Sequence, residues 1–193
     1  WSSIRAAYEA NRHAAFAVDG SFQARNHAQG WLTRFDGRSF VTHPDDDCWA
    51  WGLQLERYGF EGSEVSVHEV EGVTTNLRRV AYSWNASLEE WFVNDRRGLE
   101  HGFTIQSRPE GGQGPLTLTL SVRGDLRPKV GTSRCDVTFV GEDNNSVLNY
   151  SGLTVYDADG RIIPARFEVV TEGLRLSVEE CDARYPLTID PVA

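Results

Sequence analysis

The residues best suited to chemistry in this sequence are Glu100 and His101, which are adjacent in a segment that we predict to be extended. A histidine beside a carboxylate can carry out general acid–base catalysis near neutral pH, and mutarotase-like β-sandwiches acting on sugars use such a pair. However, the chain has no nucleophile elbow, no zinc-protease motif and no triad order. We therefore expect no catalytic residue, with His101 half-buried in a strand, and keep His101 and Glu100 as the candidates if the protein is an enzyme.

Oxygen-rich loops are the second candidate site. Calcium prefers six to eight oxygen ligands, and the best-placed carboxylates and amides are Asp143, Asn145, Asp157 and Asp159. None of these loops matches an EF-hand, and Asx residues before glycine are also typical of tight turns. We expect turns and no cofactor, with calcium as the open alternative.

Trp49 and Trp51 lie two residues apart in a predicted strand and would point to the same face. Two such rings could form a stacking platform for sugars, since aromatic faces are apolar and polarisable. The same spacing suits a hydrophobic core, which we consider the better explanation.

The chain contains three cysteines, Cys48, Cys135 and Cys181, and no CxxC motif. In a secreted protein, one disulfide and one leftover thiol would be expected. Cys135 and Cys181 each precede a predicted strand in a polar turn, so they are the preferred pair. Three free thiols are the alternative.

Charge and hydropathy narrow the possible partners. Lys plus Arg number 19 and Asp plus Glu number 28 in 193 residues, which gives a formal net charge of −9. This balance argues against binding to nucleic acid or to an anionic membrane surface. No run of about 18 apolar residues occurs, so we expect no membrane insertion.

The elements that position these residues are mostly short alternating segments joined by Gly and Asp turns. They predict an all-β fold, an antiparallel β-sandwich of the supersandwich type. Helical spacing occurs only near the start, so residues 1–14 are predicted as a helical lead-in and residues 15–193 as one sandwich domain. The Gly- and Pro-rich segment 108–115 is predicted as a long surface loop.

Several segments in order carry a family resemblance. The ending ARYPLTIDP at 183–191 resembles the closing strand of a domain that precedes FG-GAP (integrin-alpha-like) or related β-propeller repeats in secreted bacterial surface proteins. Similar segments occur at 22–26, 31–37, 88–94, 99–104, 124–128 and 156–161. The resemblance implies an extracellular or cell-surface β-sandwich and supplies no catalytic or ligand residues.

We therefore expect a non-enzymatic structural or interaction module of a bacterial cell-surface or secreted protein, acting in domain–domain contact or assembly. Its partners would be other protein domains or copies of itself. A carbohydrate-binding adhesion module for cell-surface glycans, with or without calcium, is the alternative. A mutarotase-like enzyme is a weaker one.

Overall fold

Two antiparallel sheets form the protein, in a computed structural model that describes residues 11–192, without the side chain of Val192. The all-β sandwich prediction is confirmed. The predicted N-terminal helix lies mostly outside the described residues.

The first sheet has the strand order β1-β2-β3-β4-β5-β11-β16-β15, with the short β6 paired to β5. Its strands are β1 (Ala15–Val18), β2 (Ser21–Asn26), β3 (Trp31–Phe35), β4 (Phe40–Pro44), β5 (Trp51–Phe60), β6 (Val65–Ser66), β11 (Leu116–Gly124), β15 (Ala165–Val170) and β16 (Gly173–Val178).

The second sheet has the order β12-β13-β14-β17-β10-β9-β8-β7. Its strands are β7 (Gly72–Asn76), β8 (Arg79–Asn85), β9 (Leu88–Asp95), β10 (Gly98–Ile105), β12 (Arg127–Val130), β13 (Val137–Val140), β14 (Ser146–Tyr156) and β17 (Leu187–Val192).

Local turn chemistry explains several hairpins. Asp19 and Gly20 both have positive φ, 47° and 77°, in the two-residue loop between β1 and β2, which suits the right-handed twist of the strands. A hairpin around Asp36-Gly37 also forms, between β3 and β4.

One segment with a hairpin pattern does not form a hairpin. Residues 153–156 and 162–167 flank the Asp-Ala-Asp-Gly turn at 157–160, a pattern that predicts pairing, but only a single bridge joins Tyr156 to Ile162. β14 and β15 then belong to different sheets. The turn residues specify a reversal of the chain, whereas the choice of sheet depends on where β15 buries Phe167.

The core lies between the two inner faces and is rich in aromatic rings. Phe40, Trp51, Phe92, Phe103 and Phe139 are each at most 1% exposed. Burial of one such side chain contributes about 1.5–3 kcal/mol. No helix among residues 11–192 is long and apolar enough to cross a membrane.

Candidate functional site: a sealed polar cluster and two unequal sheet edges

A cluster of polar side chains lies inside the sandwich. In β9, Leu88, Glu90 and Phe92 alternate onto the inner face, so the fold buries a carboxylate at a position that suits an apolar residue. His101 lies diagonally across on β10, because its register partner on β9 is Phe92. Its Nε2 is 2.7 Å from Glu90 Oε1.

Two more side chains complete this cluster. The indole Nε1–H of Trp84 donates to Glu90 Oε2 at 2.8 Å. The Tyr150 hydroxyl is 3.0 Å from His101 Nδ1. If Tyr150 donates to Nδ1 and Nε2–H donates to Glu90, every polar atom of the cluster has a partner.

Aromatic rings close the cluster off from solvent. Phe92 stacks on the His101 imidazole with ring centroids 4.9 Å apart, and Phe40 and Phe103 also contact it. His101 and Glu90 are 0% and 1% exposed. Burial, followed by the negative charge of Glu90, raises the pKa of Tyr150 well above its ordinary value. No substrate can reach this pair unless the two sheets separate.

The candidate pairing of His101 with Glu100 is wrong for a geometric reason. Neighbouring residues of a strand point to opposite faces, so Glu100 lies on the outer face of the second sheet. There it accepts a hydrogen bond from Arg97 Nη2 at 3.1 Å. His101 is also fully buried rather than half-buried.

Glu100 has an acidic neighbour, Asp190 on β17. Burial, and then the charge of Asp190, raises the pKa of Glu100. Burial also raises the pKa of Asp190, whose Oδ1 has no hydrogen-bond partner. The charge of Asp190 therefore disfavours ionisation of Glu100, and the two carboxylates repel when both are ionised.

The predicted calcium ligands form turns. Asp157 Oδ1 accepts backbone N–H bonds from Asp159 and Arg161, and Oδ2 accepts from Arg161 Nε. Burial raises the pKa of Asp157, but these donors outweigh it and lower the pKa. Asp159 pairs with Arg184 at 2.8 Å.

The other acidic loop behaves in the same way. Both carboxylate oxygens of Asp143 accept from Asn145, one from its backbone N–H and one from its side-chain amide. Within residues 11–192 no group of three His, Cys, Asp or Glu side chains is arranged to hold a metal ion.

Trp49 and Trp51 do not form a shared platform. β5 begins only at Trp51, which is 1% exposed and packs edge-on against Phe40 and Phe139. Trp49 lies before the strand, half-buried, with its ring centroid 6.4 Å from that of Trp31. The core explanation therefore holds for Trp51.

The predicted disulfide between Cys135 and Cys181 is not formed, and Cys48, Cys135 and Cys181 are all free thiols. Cys135 Sγ is 3.9 Å from the carbonyl of Ala165 on β15. Cys181 is exposed and contacts its neighbour Asp182. Two similar turns before strands do not bring their cysteines together, because the strands that follow are separate neighbours of β14.

The two sides of the sandwich differ at their sheet edges. We call the free edges of β12 and β15 the guarded side. β12 contains Pro128, which has no N–H, and Lys129, the only lysine of the chain. On β15, the N–H of Phe167 donates to the Arg134 carbonyl at 2.7 Å, so part of this edge is covered. Proline, lysine and covering loops are the usual protections of sheet edges.

β1 and β7 are the end strands on the other side of the sandwich, with no further strand beside either sheet end among the described residues, and we call these two edges the open side. β1 (AFAV) and β7 (GVTTN) contain no charged residue and no proline. Phe16 on β1 is 62% exposed, and Leu77, after β7, is 55% exposed with a left-handed φ of 52°. The Ala15 N–H donates to the Leu77 carbonyl at 2.8 Å, which places the two edges side by side and occupies one backbone group at the Leu77 end.

Three of these features, Glu90, Tyr150 and the open side, are absent from the site residues that the sequence predicts. Glu90 gave a signal, because it occupies an inward position between Leu88 and Phe92. Tyr150 gave none, since its contact with His101 joins strands β14 and β10, on either side of β17. The open side also gave none, because a strand's alternation does not say whether another strand lies beside it.

In comparisons with known proteins, the sequence matches no protein-family model, no curated protein and no solved structure.

Proposed function

We propose that this chain is a non-enzymatic structural or interaction module of an extracellular or cell-surface bacterial protein, and that it acts by joining protein domains through its sheet edges. The observation that carries this proposal is the open side. Unpaired N–H and C=O groups along a sheet edge are a template for another strand, and here no charge or proline blocks them.

The distribution of reactive groups supports the same function. The side chains best suited to acid–base chemistry, Glu90 and His101, are buried in the core. Their hydrogen bonds to Trp84, to Tyr150 and to each other join β8, β9, β10 and β14. The groups that solvent can reach on the open side offer backbone hydrogen bonds and the apolar surface of Phe16 and Leu77. These are the elements of protein–protein contact rather than of bond making and breaking.

The extracellular and bacterial setting rests on the sequence segments described above, from 22–26 to 183–191, and on their resemblance to a domain that precedes β-propeller repeats. That resemblance implies a neighbouring domain or a second copy as the partner.

Light scattering after size exclusion tests the proposal, over a wide concentration range and with and without calcium. We expect the mass to rise with concentration above the chain mass of 21.6 kDa in both buffers. A mass that stays at 21.6 kDa, together with glycan binding that Trp49→Ala removes, would overturn it in favour of a carbohydrate-binding module.

A further inference from the structure

We infer that β7 is the surface to which a second copy of this chain binds, strand to strand and antiparallel, about a two-fold axis at Thr74. The inference rests on the proposed function and gives it a partner, a surface and a register.

Two residues of β7 have main-chain N–H and C=O groups that point away from β8, towards the outside of the sheet. Asn76 and Arg79 are register partners across the two-residue loop 77–78. In such a hairpin the closing pair exchanges both hydrogen bonds, and bonded pairs then alternate along the ladder. Thr74 and Asn76 therefore bond to β8, whereas Val73 and Thr75 turn their N–H and C=O groups away from it.

These outward groups have no partner in the part of the chain that the structure describes. β7 is the last strand of its sheet. No backbone or side-chain hydrogen bond within residues 11–192 reaches the main chain of Val73 or Thr75.

The groups already bonded at each end of β7 select one register. With the axis at Thr74, Val73 of each copy pairs with Thr75 of the other, and all free groups are used. An axis at Val73 would pair Thr75 with Glu71, whose N–H already donates to the Ser83 carbonyl. An axis at Thr75 would pair Val73 with Leu77, whose carbonyl already accepts from Ala15.

The charges that flank β7 suit the same antiparallel arrangement. Glu69 and Glu71 precede the strand, and Arg78 follows it in the loop to β8, with its Nη1 3.9 Å from Asp95 Oδ2. A two-fold contact places the acidic end of one copy beside the basic end of the other. Because the chain carries a net charge of −9, a self-contact needs such local complementarity to offset the overall repulsion.

The first test is Thr74→Lys. Thr74 is exposed and would lie opposite Thr74 of the second copy in a non-hydrogen-bonded pair, with Cβ atoms about 4.5–5.5 Å apart. Two lysines at this distance repel each other. We expect the variant to stay at 21.6 kDa at concentrations where the unchanged chain has twice that mass. Val169→Lys, on the guarded side, is the matched control and should associate normally. Circular dichroism and thermal unfolding confirm that both variants fold.

The second test is crosslinking, which reports the register. In a background with Cys48→Ser, Cys135→Ser and Cys181→Ser, Thr74→Cys should give a disulfide-linked dimer on mild oxidation, because the separation suits a disulfide. Asn76→Cys would lie opposite Gly72, so its two copies are about 13 Å apart and should not crosslink. Equal crosslinking of the two variants would overturn the register.

The outcomes separate this inference from the proposed function. If the unchanged chain associates but Thr74→Lys associates equally well, β7 is not the contact and the assembly function stands. If the unchanged chain stays monomeric and Thr74→Cys gives no crosslink, both fail.

Discussion

The polar cluster around His101 and the outer edge of β7 belong to the same sheet but differ in chemistry and in exposure. The cluster has reactive side chains that solvent cannot reach, and the edge is exposed but has no reactive side chain. The cluster contains an acid, an imidazole and a phenol in hydrogen-bond contact, and none of them is open to solvent. The edge of β7 is open and contains no titratable residue from Gly72 to Asn76.

This difference shows that the presence of reactive residue types does not by itself locate a functional site, because such residues can be buried where no ligand reaches them. Inside the sandwich, the low dielectric makes each hydrogen bond of Glu90 valuable for stability and each lost partner costly. At the edge of β7, Val73 and Thr75 have no backbone partner among the described residues, so their N–H and C=O groups are those that a second strand can bind. Changes to the cluster should therefore affect folding, and changes to the edge should affect association.

The largest effect is expected for His101→Phe. This change keeps an aromatic ring beside Phe92 but removes the Nε2 partner of Glu90, which leaves a buried carboxylate with Trp84 as its only side-chain donor. We expect a loss of about 3–5 kcal/mol in the free energy of unfolding, measured by urea denaturation. The two-fold contact at β7 should be unchanged in the protein that remains folded.

A double variant supplies the control for that prediction. Glu90→Leu with His101→Phe removes both members of the pair, so it should recover more than half of the loss. A loss below about 1 kcal/mol for His101→Phe alone would show that the cluster does not stabilise the fold.

A smaller effect is expected from the charges beside β7. Glu71→Arg would place like charges of the two copies together near Arg78 and should weaken association roughly threefold to tenfold, as exposed ion pairs are worth about 0.2–1 kcal/mol each. Light scattering over a dilution series measures it. Glu110→Arg makes the same change of net charge in the exposed loop 108–115 and should not weaken association. Equal weakening by both variants would mean that net charge, not the ends of β7, governs the contact.

The smallest effect is expected for Asp190→Asn, on the outer face of the second sheet. The pKa of Asp190 is raised in the folded protein, chiefly by burial, so ionisation lowers stability as pH rises through that raised value. Removing the charge should stabilise the protein at neutral pH by roughly 0.5 kcal/mol, after allowance for solvent screening.

The sign of that effect is tested by pH. Below the ordinary pKa of Asp, both the folded and unfolded states hold the proton, so the gain should disappear in acid. Thermal unfolding at neutral pH and in acid measures both values. A gain that persists in acid would exclude ionisation of Asp190 as its cause, and a change in association would extend the contact beyond β7.

Much of the secondary structure can be predicted from the residues themselves. The alternation in β11 and the Asp-Gly turn between β1 and β2 specify extended segments and a reversal, because both depend on neighbours in the chain. Glu90 could be assigned to the inner face from Leu88 and Phe92. Its hydrogen-bond partner could not be assigned. In the sequence, His101 lies next to Glu100, whereas in the structure it bonds to Glu90, eleven residues earlier in the chain.

The sequence by itself therefore determined the class of fold, the positions of most turns and the face on which each strand residue lies. Only the tertiary structure decided that β14 and β15 enter different sheets, that His101 contacts Glu90 and Tyr150, and that, within residues 11–192, β7 has no strand on one side. The physical reason is the range of the interactions. Turn and alternation preferences act over a few residues, whereas strand order depends on how the two complete inner faces pack together.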